Sequence, residues 1–527
     1  MLERYRRYYL PVILILIIMV AFFMRVYRAS DYMTFLGDEG RDVMVVKRMI
    51  VDGKFTLLGP TASVGGFFMG PVYYYFMAPF LWLSRLDPVG PAIGVALVGT
   101  VTVYLVYVST SALFSPVAGV VASLIYALSP IVIAYSRSSW NPNIVPFVSL
   151  LLVMVTMYLW SKRDLKFSLI AGVLIGIGIQ LHYVFLFMAG WYGMMILFHS
   201  ALRTNWKIYA ASIGGGLIGF SPFLLFEIRH GFSNIKAIVA FLSSGKDTGF
   251  DGVQALVTSA SVIYRLVSRE LFRIPDTAML LAMDPNPRLL WNTITPILVI
   301  IFLIGFFWPL ILHVRKNGVS HKSLTDKVVW PYLFIASWII IPSFIFGLYR
   351  KPIYDYYLGI IFPIPAIMAG VVISKVFSKN RIVGALMVVV MGSYLLAGMP
   401  FLNEPNRQLL QAKTISAAVL EHTGGKPYNF ALLAGANSDH AYRYFFEIWN
   451  RAPITIEYEG VDPERKTVTD QLLVVCEDKT CQPIGHPLWE IAGFGQAEVA
   501  GQWDVSVVRI YRLVPYRGAD TMEKEQK

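Results

Sequence analysis

Three carboxylates and an arginine crowd into one short stretch, Gly37-Asp38-Glu39-Gly40-Arg41-Asp42. A carboxylate held beside a reacting hydroxyl can take its proton, the general-base role. The same residues also suit an acidic turn that starts a helix, because anions are stabilised at a helix N-terminus. Residues 43–51 are apolar apart from Lys47 and Arg48, a pattern for a short amphipathic helix on a membrane surface.

Basic and aromatic groups recur further along. In Ser136-Arg137-Ser138-Ser139-Trp140-Asn141-Pro142-Asn143, an arginine among hydrogen-bonding side chains can grip a phosphate. Anchoring at a membrane interface by Arg137 and Trp140 is the other reading. His182 and Tyr183 suit either a polar anchor or a substrate contact. Tyr349-Arg350-Lys351-Pro352-Ile353-Tyr354-Asp355-Tyr356-Tyr357 puts two cations among tyrosines, where a lipid phosphate is the natural counter-ion and ordinary headgroup contact the alternative. Residues 253–272 have helical periodicity and carry Arg265 and Arg269, with Arg273 just beyond and Arg229 and His230 upstream. They predict an amphipathic helix that either covers a lipid-accessible cavity or simply packs.

The elements that must position these groups are set by composition. The chain has 527 residues, 56% hydrophobic and 15% charged, where a soluble chain has about 25% charged. Long apolar runs recur through most of the length, and each needs a bilayer. Eleven spans are expected, at about 9–27, 89–111, 116–135, 143–160, 167–183, 185–199, 207–227, 291–313, 329–348, 357–375 and 382–401. The first run follows Arg4, Arg6 and Arg7 and lacks a small-residue cleavage site, so it reads as a retained span. A twelfth run, about 71–85, is too short to cross and rich in interfacial Tyr and Trp. Counting it would put four basic loops on the wrong side: Lys162 to Lys166, Arg203 with Lys207, Arg315 to Lys327, and Lys375 to Arg381. It therefore reads as an interface helix.

The N-terminus is then cytoplasmic, and the outer regions are 28–88, 228–290 and the C-terminal part. The formal charge of +12 comes from these inner loops, and no basic stripe or motif points to nucleic acid. The expected division is a membrane domain over 1–402 and an outer soluble α/β domain over 403–527, with strands near 428–435, 471–476 and 504–513 and a helix near 440–450. Cys476 and Cys481 are the only cysteines. They cannot make a zinc site alone, and a disulfide and two free thiols are both open.

In order and spacing these features resemble the GT-C membrane glycosyltransferases, family 39, the protein O-mannosyltransferase and aminoarabinose-transferase group. The resemblance covers about residues 8–400. Asp38-Glu39 matches the family's acidic pair after the first span, and Gly70-Pro71-Val72-Tyr73-Tyr74-Tyr75 stands where a Pro-Pro-Leu-x-Tyr-Trp-like stretch belongs. Ser129-Pro130 with Ser136-Arg137 matches a Ser-Pro…Ser-Arg…Asp segment, and Arg350 to Tyr357 resembles the basic-aromatic loop. Two positions depart: Phe68-Met69 replace a charged lead residue, and Asn141 and Asn143 stand near the place of an Asp. An asparagine bonds hydroxyls but is no base. The departures suggest a prokaryotic branch.

The resemblance implies a polyprenyl-phosphate sugar donor and a one-step displacement with inversion, outside the cytoplasmic membrane. It implies Asp38 as base with Glu39 beside it, and Arg137, Arg350, Lys351 and Tyr354 toward the donor phosphate. Arg41, Tyr73, Asn141, Asn143, His182, Tyr183 and Tyr357 are the expected substrate contacts. A divalent metal could serve the leaving group, but the arginines can do the same work, so the expectation is no cofactor and no metal. A lipid-linked-sugar flippase would need charges midway along spans; Glu227 and Asp355 fall at edges. A non-catalytic membrane sensor would explain the C-terminal part but not the Asp38-Glu39 motif.

Overall fold

A computed structural model describes residues 2–62, 65–245, 248–249, 251–318, 326 and 328–516. The side chains of Arg4, Arg6 and Arg7, the residues Lys322 and Lys327 of an expected inner loop, and the tail from Met522 lie outside the described residues. The chain is mostly helical with a small C-terminal sheet. Each of the eleven expected runs coincides with a helix or a broken helix. Among the described residues, Tyr9–Val26, Val89–Leu113, Asn141–Lys162 and Pro285–Lys316 are long and apolar enough to cross a membrane unaided. Trp206–Gly219 and Ser221–Arg229 form an apolar pair bent by 71°, the geometry of a broken span or a re-entrant loop, with Pro222 in the first turn after the break. Ser129-Pro130 likewise separates Pro116–Leu128 from Pro130–Tyr135, because the residue before a proline avoids helical backbone. The doubtful run becomes the helix Val72–Leu83, 12 residues, about 18 Å long against a hydrocarbon core of about 30 Å.

The chain divides into two compact units: Met1–Tyr27, Phe55–Phe76 and Pro91–Glu404; and Arg28–Lys54, Met77–Gly90 and Pro405–Lys527. This grouping differs from the expected 1–402 and 403–527, because much of the first outer region clusters with the C-terminal part. The reason lies inside the second unit. The helix Gly37–Val51 packs on the helix His440–Ile448, and Gly40 lets their backbones meet: a Cβ there would lie 2.3 Å from the Ala441 nitrogen. Phe35 meets Tyr444 and Phe445 edge-on at 6.3 and 5.9 Å. Lys47 and Arg48 both pair with Glu447, and the Tyr444 hydroxyl donates to the Leu86 carbonyl.

The sheet of this unit has four strands, β1 Asn429–Leu433, β2 Leu472–Cys476, β3 Ala497–Val505 and β4 Val508–Pro515, in the order β1-β2-β4-β3. β1 and β2 are parallel and the other pairings antiparallel. The unbroken apolar run Leu-Leu-Val-Val-Cys is fully buried at the centre. The single strand expected over 504–513 is instead parts of two, which turn at Ser506 and Val507. β3 escaped the sequence reading because it is an edge strand of mixed polarity, half exposed along its length.

Candidate functional site

The acidic motif opens the helix Gly37–Val51. Leu36 offers no side-chain cap, so Glu39 turns back and accepts the Leu36 amide at 3.0 Å. Glu39 is 5% exposed. Burial pushes its carboxyl up to about 7, with Asp42 and Asp38 adding to the effect and backbone hydrogen bonds opposing it. Arg41 donates to Asp42 at 2.8 and 3.0 Å and to Asp38 at 2.9 Å. The Asp42 side chain is fully buried, whereas that of Asp38 is 55% exposed. Asp38 is thus the carboxylate of the three that a substrate can reach, steadied by an arginine that Asp42 holds in place.

The basic-aromatic constellation is built within the first unit. A cavity of about 550 Å³ with mixed polar and apolar lining is bounded by one face of the helix Gly252–Leu271, through Gln254, Thr258, Ser261 and Arg265, and by Arg350 and Lys351. Asp355 accepts from Arg265 at 2.6 Å and is paired with Arg269 at 2.8 Å. Arg350 also donates to the Gly245 carbonyl at 3.3 Å. It lies so close over Gly249 that a Cβ there would be 2.5 Å from Nη2. An apolar groove of about 400 Å³ shares Gly249 and Tyr349 with this cavity, and is walled by Phe67, Met69, Leu186, Phe187, Phe241 and Ile345. His182, Tyr183 and Tyr357 line the groove as well. His182 lies 5.0 Å from the Tyr357 ring and 5.9 Å from that of Tyr356, which Trp140 also meets at 4.5 Å. Tyr354 stacks on Tyr356 at 5.7 Å.

The structure therefore brings Arg350, Lys351, Tyr354, His182, Tyr183 and Tyr357 together, and gives other expected residues different work. Arg137 is 2% exposed and donates to the carbonyls of Met24, at 3.0 Å, and Tyr27. It closes the free end of the first helix. Asn141 donates to the Leu181 carbonyl at 2.6 Å and Asn143 to that of Ser138 at 2.8 Å. Tyr73 is fully buried, its hydroxyl 2.9 Å from Ser139. Arg41 serves Asp38 and Asp42. Arg273 donates to the carbonyls of Tyr394 and Ala397 at 2.6 and 3.2 Å. Sequence reasoning missed the pairing of Arg265 and Arg269 with Asp355. The sequence shows only that residues 254, 258, 261 and 265 fall on one helix face, and not what Arg265 and Arg269 meet.

Cys476 and Cys481 are joined in a disulfide, Cα atoms 6.0 Å apart. Among the described residues no group of three or more His, Cys, Asp or Glu side chains is placed to hold a metal ion.

Residues 69–226 match the family model of the dolichyl-phosphate-mannose-protein mannosyltransferases. The fold is similar to that of ArnT from Cupriavidus metallidurans bound to undecaprenyl phosphate, at 13% identity and a TM-score of 0.60, over 95% of this chain and 97% of that one. The apo form of the same protein gives 12% identity and a TM-score of 0.57 over the same shares. No curated protein matches in sequence. The fold is that of the GT-C membrane glycosyltransferases, and the resemblance to family 39 drawn from the sequence holds.

Proposed function

We propose that this chain transfers a sugar from a polyprenyl-phosphate carrier to a hydroxyl acceptor at the outer face of the cytoplasmic membrane. The observation that carries the reading is adjacency: an apolar groove and a cavity lined by Arg265, Arg350 and Lys351 share Gly249 and Tyr349 in their walls. A polyprenyl phosphate has the matching shape, a long apolar chain with an anionic head. The fold match to a protein that binds undecaprenyl phosphate supports the same ligand class, and the family-model match supports a glycosyltransferase.

In this reading the isoprenoid chain occupies the groove, and the cations stabilise charge on the departing phosphate, a job that metal ions do elsewhere. Asp38 accepts the proton of the attacking hydroxyl as that oxygen bonds to the anomeric carbon and the carbon–phosphate oxygen bond breaks. Glu39 caps the helix that presents Asp38. The N-terminus is cytoplasmic and the C-terminal unit is outside.

The test is incubation of the purified protein with a panel of radiolabelled polyprenyl-phosphate hexoses, aminohexoses and pentoses. Release or transfer of label that depends on the protein and falls in Arg350→Ala supports the assignment. No turnover of any donor, with undecaprenyl phosphate failing to bind, sinks it.

A further inference from the structure

Neither constellation uses a smaller cavity of the second unit. Its volume is about 280 Å³, below the roughly 300–1,000 Å³ usual for small-molecule sites, so it has room for one ring rather than an oligomer. Its lining mixes apolar groups, among them Phe35 and Ile415, with polar ones, Gln411, Asn437, Tyr442 and Glu477.

Glu477 is held rigidly. Its Oε1 accepts from Asn437 at 2.6 Å and from the Tyr442 hydroxyl at 3.1 Å. Both bonds fall on one oxygen, so Oε2 keeps its acceptor capacity for a ligand. The disulfide from Cys476 to Cys481 closes the turn that carries Glu477, and Cys476 is fixed in the buried strand β2. Asn437 turns its other end to Gly37, whose amide donates to Oδ1 at 2.9 Å. The residue that braces Glu477 therefore also braces the start of the helix bearing Asp38.

This chemistry selects among ligands. A carboxylate disfavours an anion. An apolar molecule would strip water from the carboxylate and the amides without replacing their hydrogen bonds. A sugar ring offers hydroxyls on its edge and C–H groups on its faces, and so matches both kinds of lining. We propose that this cavity is a carbohydrate subsite that seats an uncharged sugar ring of the acceptor. The acceptor role rests on the glycosyltransferase reading above.

The experiment is saturation-transfer NMR on the full-length protein in nanodiscs, with the methyl glycosides of a neutral hexose, an N-acetylhexosamine and a pentose as probes. At least one glycoside should saturate. Glu477→Gln and Gln411→Ala should each weaken it about tenfold, the loss of one hydrogen bond to a charged or polar anchor, and Ile415→Trp should abolish it by filling the space. Thermal melting of each variant separates lost binding from lost folding, and Gln411→Ala, on a partly exposed helix face, keeps the test alive if Glu477→Gln unfolds. The subsite is overturned if no glycoside saturates the wild type, or if folded variants bind as it does. Donor hydrolysis by the wild type is read in parallel: binding without hydrolysis keeps a carbohydrate site and removes its acceptor role, whereas hydrolysis without binding removes the site.

Discussion

Asp355 accepts a hydrogen bond from Arg265 at 2.6 Å, and its second oxygen lies 2.8 Å from Arg269. One carboxylate thus screens two like charges that sit one helical turn apart. The Asp355 side chain is only 13% exposed, so Asp355→Ala leaves two partly buried arginines facing each other. Breaking a fully buried pair costs about 3–5 kcal/mol. With Arg265 at 31% exposure, solvent screening should reduce the loss to about 2 kcal/mol. A double-mutant cycle of Arg265→Ala and Asp355→Ala, read by thermal unfolding, should show positive coupling. Additive losses would mean the pair contributes little.

Asp38 and Glu39 are neighbours with opposite surroundings, and substitution should separate them. Asp38→Asn keeps the shape and removes the base, so transfer should fall about 10²- to 10⁴-fold while undecaprenyl phosphate binding stays. Titrating the lipid into the variant by intrinsic fluorescence and assaying transfer in the same preparation checks both halves. Full activity in Asp38→Asn would remove it from the chemistry.

How much of this was legible beforehand follows from physical range. Spans could be read because a bilayer demands an unbroken apolar run, and the demotion of 71–85 rested on length and loop charge, both local quantities. The Asp38-Glu39 motif was visible for the same reason. What the sequence hid was partnership. Nothing local says that Arg137 would be engaged by the carbonyls of Met24 and Tyr27, 110 or more positions earlier. Nothing local says that Asp355 would meet two arginines about 90 positions away. Nothing local says that Gly40 and Phe35 would meet the helix His440–Ile448 through contacts of high sequence separation.

Gly40 marks where two helices touch backbone to backbone. Gly40→Ala gains helix propensity of about 1 kcal/mol. The added Cβ would lie 2.3 Å from the nitrogen and 2.5 Å from the Cα of Ala441, and such backbone overlap costs typically about 1–3 kcal/mol. The contact is with backbone, which cannot swing aside, so the clash should win, with a net loss of up to about 2 kcal/mol. The melting temperature should fall, and fall further for Gly40→Val. A variant as stable as wild type would show that the two helices part easily.

Glu39 should make the stability of its unit depend on pH in the sense opposite to most carboxylates. Its folded pKa of about 7 lies above the ordinary value of 4.5. Between those values the folded state holds a proton that the unfolded state has released. Stability from this group is therefore full below about pH 4.5, declines as pH rises toward 7, and is lowest above it. The span of the effect is roughly 3 kcal/mol at most. Glu39→Gln keeps an acceptor for the Leu36 amide without the charge, so it should remove this slope and raise stability at pH 8 relative to wild type. Thermal unfolding of both proteins from pH 5 to 8 measures it. Parallel pH curves for the two would show that Glu39 is ionised in the folded protein, hydrated despite its place beneath Leu36.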